Sequence, residues 1–181
     1  MAMDRLLPEE ILTDRLRLRG PVVTDTATIF RAYAQDPVVC RYMIWVPHES
    51  EAITRSFIAA CIDAWKGGNR MPYVITPRGS NDAIGMLEAR VQGTAVDIGC
   101  VLARSHWGRG LMPEAIRALA SASLSHPHIF RVQATCDVEN VASRRALEKS
   151  GFIREGRLER YTVHPNLSPE PRACFMYAKW R

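Results

Sequence analysis

Strand-type alternation of apolar and polar residues marks the beginning and the middle of the chain. Residues 15–19 alternate strictly, which is typical of a strand with one buried face. Three further strands are predicted at 71–76, 83–91 and 94–103. A polar turn cluster at 78–82 and the tight connection Gln92-Gly93 separate these three strands. The spacing therefore predicts an antiparallel meander.

Helical periodicity occupies the remaining long segments. Apolar residues three and four positions apart predict four helices, which begin near Thr24, Ser50, Pro113 and Asn140. Ser50 and Asn140 are typical N-caps, and Gly67-Gly68 and Gly151 are typical stops. Later strands are predicted for 130–137, from Phe152 onward, and for 173–180. We expect strands and helices to share one sheet, with a β-loop-α-β crossover in the middle.

The order of these elements predicts a mixed α+β fold. A chain of 181 residues suits one domain with a buried core, so we expect 1–181 to form a single domain. Residues 1–11 precede the first predicted strand and are expected to form a flexible N-terminal segment.

Composition narrows the class of protein. Hydrophobic residues make up 47% and charged residues 24%, which is typical of a globular protein, and the net charge is only +5. No block of five Lys or Arg residues indicates a nucleic-acid partner. No signal peptide or membrane-length apolar run is present, so we expect a cytoplasmic protein without membrane contact. Five cysteines without CxxC spacing predict neither a metal site nor disulfides.

Two glycines between a strand and a helix form the most informative stretch. In residues 105–115, Gly108 and Gly110 allow a sharp turn, and the helix that follows presents unpaired N–H groups and its positive dipole end. This arrangement predicts a phosphate cradle. The dinucleotide fingerprint would need a third glycine where Pro113 stands, and a Walker loop would need Gly-Lys-Ser/Thr, which the chain lacks.

The segments 105–115 and 140–152, in this order, resemble the GNAT superfamily of acyl-CoA N-acyltransferases. Residues 12–19 are similar to the branch that acetylates ribosomal-protein N-termini (RimJ/RimL-like). The resemblance extends over about 12–180. It implies a mostly antiparallel sheet of six to seven strands with a splayed central strand pair, flanked by about four helices. Members of such a branch are often homodimers.

The resemblance also implies acetyl-CoA as the donor, with a longer acyl-CoA as an open alternative, and no metal. The pyrophosphate would lie on Trp107, Gly108, Arg109, Gly110, Leu111 and Met112. The pantetheine arm would pair with the main chain of Val101 and Ala103, as a strand adds to a sheet edge. Asn140 would contact the arm through its side chain, and the Val101 N–H would bind the thioester carbonyl.

The implied reaction is direct attack of a primary amine on the thioester. An α-amine with a pKa of about 7.8 is roughly 10–15% neutral at pH 7, whereas a lysine is only about 0.04% neutral. Asp97 is the candidate base because it points to the same side of its strand as Val101. A salt-bridged strand carboxylate is the alternative for Asp97, and we expect an ion pair or a solvated face for Glu88.

The predicted acid differs from the family pattern. Many members carry a Tyr where this chain has Leu147, so Ser143, three residues after Asn140, is the candidate acid or hydrogen-bond donor to the coenzyme. The function predicted is an N-acetyltransferase acting on a protein N-terminus or a small-molecule amine. A non-catalytic acyl-CoA-binding or regulatory module is the alternative.

The acceptor side offers weaker signals. Residues 40–50 form either a loop that covers the core or a lip that faces the substrate. Glu159, Arg160 and Tyr161, near the Pro-rich loop 164–171, are candidate substrate contacts.

Overall fold

The computed structural model describes residues 6–181, in which five α-helices flank an eight-stranded sheet. The strands are β1 (Glu10–Leu12), β2 (Leu16–Arg19), β3 (Arg70–Pro77), β4 (Gly85–Gln92), β5 (Ala95–Leu102), β6 (Arg131–Asp137), β7 (Ile153–Val163) and β8 (Pro171–Trp180). The helices are α1 (Asp25–Ile29), α2 (Pro37–Cys40), α3 (Glu51–Gly67), α4 (Leu111–Ser125) and α5 (Val141–Lys149). A π-helical turn, Phe30–Ala34, continues α1, and a 3-10 turn, Arg104–His106, follows β5.

The strands follow the order β1-β2-β3-β4-β5-β6-β8-β7, and every neighbouring pair is antiparallel except β5 and β6. These two strands run parallel but pair only at their beginnings, from Ala95↔Arg131 to Asp97↔Gln133. Beyond Asp97 the strands diverge. The predicted α+β fold with a splayed central pair is therefore confirmed, and β1 brings the sheet to eight strands where six to seven were expected.

The N-terminal residues that the structure describes pack against the sheet. Leu7 and Ile11 are only 2% and 8% exposed, and the Tyr73 hydroxyl donates a hydrogen bond to the Pro8 carbonyl. Burial of these apolar side chains fixes the segment. Residues 6–11 thus pack against the sheet, residues 1–5 lie outside the described part of the chain, and the flexibility expected of 1–11 stays a prediction.

The short helix α2 occurs where the sequence predicted only a break. The Asp36 side chain accepts a hydrogen bond from the Val38 N–H at 2.9 Å, and Pro37 occupies the first helical turn. An N-cap followed by proline begins a helix as readily as it ends one. Asp36-Pro37 therefore ends one helical segment and starts another.

Helices cover both faces of the sheet. One cluster of buried side chains, including Leu87, Ile116 and Leu147, joins the strands to α4 and α5. The second cluster, including Tyr33 and Ile58, joins them to α1, α2 and α3. We call these two sides the α4 face and the α3 face. The gap between β5 and β6 connects the two faces.

Candidate functional site: a cleft between two diverging strands

A cleft of about 770 Å³ opens where β5 and β6 separate. Its walls include residues 98–102 of β5 and 134–137 of β6. The first turns of α4 and α5 line it on the α4 face, and the segment after α2 lines it on the α3 face. An elongated ligand can therefore pass between the strands and reach both faces.

The glycine loop forms one end of the cleft. Gly108 and Gly110 both have φ of +74°, a left-handed conformation that favours glycine. The first intrahelical bond of α4 runs from the Glu114 N–H to the Gly110 carbonyl at 3.3 Å. The preceding N–H groups of Leu111 and Met112 therefore have no acceptor within the helix and stand at its positive end. This geometry suits a phosphate.

The turn between β1 and β2 holds this loop in place. Arg15 donates from Nη1 to the Arg109 carbonyl at 3.0 Å and from Nε to Glu114 at 2.7 Å. The Thr13 hydroxyl donates to the same carboxylate at 2.6 Å. Burial opposes ionisation of Glu114, but the hydrogen bonds from Thr13 and Arg15 outweigh it and lower the pKa of Glu114. These bonds tie the loop and the first turn of α4 to the β1–β2 turn.

Side chains around the loop only partly match the predicted set. Trp107 lines the cleft and donates from Nε1 to the Leu102 carbonyl at 2.7 Å, which ties the loop to the end of β5. Arg109 does not line the cleft. Two cations that the sequence reasoning did not single out, Arg145 and Lys149, line it from α5. Their i,i+4 spacing places them on one helix face, and this spacing could have identified them from the sequence.

Of the three residues predicted to contact a coenzyme arm, two line the cleft and one does not. Val101 lines the cleft beyond the last β5–β6 pair, and so does Asn140, whose Oδ1 accepts from the Ser143 N–H at 3.1 Å and caps α5. Ala103 is buried outside the cleft lining. Its N–H donates to the Ile84 carbonyl at 2.8 Å and its carbonyl accepts from the His106 N–H at 2.9 Å. Both main-chain groups of Ala103 thus already have partners.

The two candidate carboxylates are both held by arginines. Asp97 lies at the last β5–β6 pair, outside the cleft lining, and accepts from Arg90 Nε at 3.1 Å. Glu88 does line the cleft, between Arg70 Nη2 and Arg90 Nη1, each at 2.8 Å. Burial raises the pKa of Glu88, but both arginines outweigh it and lower that pKa overall. The ion pair expected for Glu88 is present, and the geometry of Asp97 matches its salt-bridge alternative rather than a base.

The acid position contains no strong proton donor. Leu147 is buried and lines the cleft, as does Ser143 in the first turn of α5. Cys136 of β6 lies beside them, and burial raises the pKa of its thiol to about 12 although Ser143 hydrogen-bonds it. At neutral pH this cysteine is therefore a thiol, and the Ser143 hydroxyl is the polar group beside it.

Aromatic and apolar side chains dominate the α3 face of the cleft. Tyr42, Ile44 and Trp45 line it, and Ile44 is 70% exposed. Part of the segment 40–50 therefore lines the cleft, and its role as a substrate-facing lip stays a prediction. Tyr33 also lines the cleft, and its buried hydroxyl has no hydrogen-bond partner among residues 6–181. Burial raises the pKa of Tyr33, so this hydroxyl is a proton-bearing donor.

The predicted contacts at 159–161 lie elsewhere. Glu159, Arg160 and Tyr161 are exposed and do not line the cleft. They form an irregularity in which β7 bulges between Leu158 and Thr162, and Arg160 has a φ of +48°. The bulge shifts the register, so that Thr162 and, after the strand, His164 line the cleft instead.

No group of three or more His, Cys, Asp and Glu side chains within 6–181 could hold a metal ion. Within the same span, no helix is both long and apolar enough to cross a membrane.

Known proteins with the same architecture were found by sequence and by structure. The family model described as an acetyltransferase (GNAT) domain matches residues 15–153. An uncharacterized N-acetyltransferase, p20 of Bacillus licheniformis, is 28% identical over 156 residues, covering 84% of this chain and 87% of that protein.

Two solved structures are similar to this chain in fold. A GNAT-family acetyltransferase from Bacillus anthracis is 25% identical with a TM-score of 0.82, covering 94% of this chain and 98% of that one. RimL, a ribosomal L7/L12 α-N-protein acetyltransferase solved with coenzyme A, is 23% identical with a TM-score of 0.83, covering 95% and 98%. At that identity, the likeness to RimL shows the fold alone.

Proposed function

The chain belongs to the GNAT acetyltransferase family and is an N-acetyltransferase, and we propose that it transfers the acetyl group of acetyl-CoA to a primary amine. The observation that carries the proposal is the cleft between β5 and β6, which has a phosphate-type cradle at one end and an apolar acceptor wall at the other. The coenzyme would enter from the α4 face and the amine from the α3 face.

The donor half follows from the cradle and its charges. The N–H groups of Leu111 and Met112 would bind the pyrophosphate, and Gly108 and Gly110 leave room for its close approach. Arg145 and Lys149 would add positive charge from α5. RimL, which has the same fold, was solved with coenzyme A. These features support acetyl-CoA as the donor.

The chemistry needs a neutral amine, a partner for the oxyanion and a way for the thiolate to leave. The resemblance implies Val101 as the main-chain partner of the thioester carbonyl, but Val101 pairs with Met86 of β4, and its N–H points to the same side as that of Ala103, which donates to the Ile84 carbonyl. A β5 N–H that faces the gap, at Ile98 or Cys100, is therefore the proposed partner of this carbonyl. The Ser143 hydroxyl is the proposed hydrogen-bond donor near the sulfur. A coenzyme thiolate with a pKa of about 8.5 can also leave without a strong acid.

The acceptor is proposed to be an amine of moderate basicity, such as a protein N-terminus or a small-molecule amine. Glu88 and Asp97 are committed to arginines, so neither is a strong base for an ammonium near pKa 10.4. An α-amine needs less help, because about 10–15% of it is already neutral at pH 7. RimL is named as an α-N-protein acetyltransferase, which fits this class. A homodimer and a cytoplasmic location remain predictions from the sequence.

Binding and turnover test the proposal separately. Calorimetry should show saturable binding of acetyl-CoA but not of ATP or NAD. A thiol-release assay should then show turnover with peptide α-amines or small amines, and weaker turnover with lysine side chains blocked at the α-position. Binding of acetyl-CoA without thiol release for any amine would instead support the non-catalytic acyl-CoA-binding module. Parallel assays with longer acyl-CoA donors would show whether acetyl is preferred.

A further inference from the structure

A buried histidine on the acceptor side of the cleft has an unused nitrogen. His164 follows β7, is only 5% exposed, and lines the cleft. Its Nδ1 has no hydrogen-bond partner among residues 6–181. A buried polar atom without a partner is costly and therefore unusual in a native protein. The ring therefore borders the cleft, and Nδ1, although buried in this structure, is the nitrogen that no protein group in the described residues occupies.

The other ring nitrogen faces a fixed carboxylate. His164 Nε2 lies 3.7 Å from Asp137 Oδ2, and Asp137, at the end of β6, is fully buried. Asp137 accepts from Arg172 Nε at 2.6 Å and from the Glu139 N–H at 2.9 Å. Burial raises the pKa of Asp137, but these bonds outweigh it and lower the pKa overall, so Asp137 stays ionised at neutral pH. The separation of 3.7 Å is too long for a hydrogen bond, but the negative charge of Asp137 favours the tautomer with its proton on Nε2 and leaves Nδ1 as the acceptor.

Contacts from the loop after β7 place the ring beside the acceptor lip. The His164 carbonyl accepts from the Leu167 N–H at 2.9 Å, which closes a turn. Asn166, within that turn, donates from Nδ2 to the carbonyls of Cys40 and Trp45 at 2.7 and 2.8 Å. The Tyr42 ring stands nearly perpendicular to the imidazole, with centroids 6.4 Å apart. The histidine is therefore held between β6 and the segment that lines the α3 face.

We propose that His164 is the general base of the reaction, with Asp137 orienting its ring; this assignment rests on the proposed amine acetylation. The amine nitrogen forms a C–N bond with the thioester carbonyl carbon and passes one proton to Nδ1. The C–S bond then breaks, and its electron pair leaves on the coenzyme sulfur. The proton on Nδ1 passes to the thiolate or to solvent, so the products are an amide and the free thiol.

The basicity of an imidazole suits this acceptor class. General bases work best when their pKa lies near the working pH.

The groups that face the imidazole come from three elements. Asp137 comes from β6, Cys174 of β8 has its sulfur 4.0 Å from Nε2, and Tyr42 comes from the segment after α2. Arg172 pairs with Asp137, and the Glu139 carboxylate pairs with Arg172. These charged groups contribute to the pH dependence of kcat.

The decisive variant is His164→Asn, matched by His128→Asn at an exposed histidine outside the cleft. We expect His164→Asn to lower kcat for a peptide α-amine by about 10²–10⁴-fold, the usual contribution of a general base. The acetyl-CoA affinity should match that of His128→Asn, and the low-pH limb of the kcat profile should disappear only in His164→Asn. An unchanged kcat and pH limb in folded His164→Asn would overturn the assignment.

A measurement on the unsubstituted protein guards against a variant that does not fold. Nitrogen-15 NMR of histidine-labelled protein should show the neutral tautomer of His164 with its proton on Nε2. The His164 signals are assigned by their absence from the spectrum of His164→Asn, or of His164→Gln if His164→Asn is unfolded. The spectrum of His128→Asn serves as the comparison. A proton on Nδ1 would overturn the proposal, because that nitrogen could not accept one. If wild-type protein binds acetyl-CoA but acetylates no amine, the proposed function fails first and the base assignment fails with it. Turnover with loss only in His164→Asn supports both.

Discussion

Alanine at Gly108 would add one methyl group to the proposed cradle without a clash inside the protein. A Cβ built there meets nothing within 4 Å, but the residue has φ of +74°. Gly79 is a matched control, since its φ is +82°, its Cβ would also meet nothing within 4 Å, and it lies in the turn between β3 and β4, outside the cleft. A side chain in the left-handed region costs about 1–2 kcal/mol. Reduced freedom of the unfolded chain returns roughly 0.4–1 kcal/mol of this.

Both variants should therefore lose about 1 kcal/mol of folding stability, which lowers Tm by about 2–4 °C for a chain of this size. Only Gly108→Ala should lose coenzyme affinity. A hydrogen bond to a charged group contributes about 1.5–3 kcal/mol, so displacing one phosphate contact should raise Kd about 10- to 150-fold. Calorimetric titration with acetyl-CoA and thermal unfolding without ligand measure the two effects. Wild-type affinity in Gly108→Ala, or equal weakening in Gly79→Ala, would refute the cradle.

Substitutions of Asp97, Ser143 and Glu114 should each have a distinct effect on turnover or stability. Asp97→Asn should leave kcat nearly unchanged, because the carboxylate lies outside the cleft; a loss approaching ~10²-fold in steady-state assays would restore it as the base. Ser143→Ala should lower kcat by much less than that, because a thiolate with a pKa of about 8.5 leaves unaided; a loss of ~10²-fold would identify Ser143 as the acid. The pKa values of Glu88, Glu114 and Asp137 are lowered on folding, so their stabilisation is complete above about pH 5 and is lost as pH falls through the folded values. Urea unfolding over that range should show a shallower pH slope in Glu114→Gln than in wild type, and an unchanged slope would contradict the assignment.

Local sequence patterns were sufficient to predict most of the strands and helices. Strict alternation at 15–19 and the turn residues between 78 and 93 were sufficient to predict the antiparallel meander, because alternation and turn chemistry act over only a few residues. The strand β1 was missed because three residues hold too little alternation to recognise. Its pairing with β2 depends on burial of Leu7 and Ile11 against the sheet, which is a tertiary contact.

In the candidate site, too, the residues with a local sequence signature were predictable and those that depend on tertiary contacts were not. Gly108 and Gly110 were identifiable because a left-handed loop before a helix has its own local signature. Asp97 was not assignable, because its environment depends on the cross-strand register that pairs it with Arg90. Alternation gave the correct side of the strand but not the partner on the next strand.

The sequence by itself determined the α+β class, the glycine loop and the family, since each rests on residues close together in the chain or in a fixed order. Tertiary structure alone decided the acceptor side of the cleft. His164 meets Asp137 because β8 pairs with both β6 and β7, and the bulge in β7 sets which residues turn toward the cleft. Such a contact joins residues distant in sequence, and its energy comes from burial and charge pairing that no local pattern records.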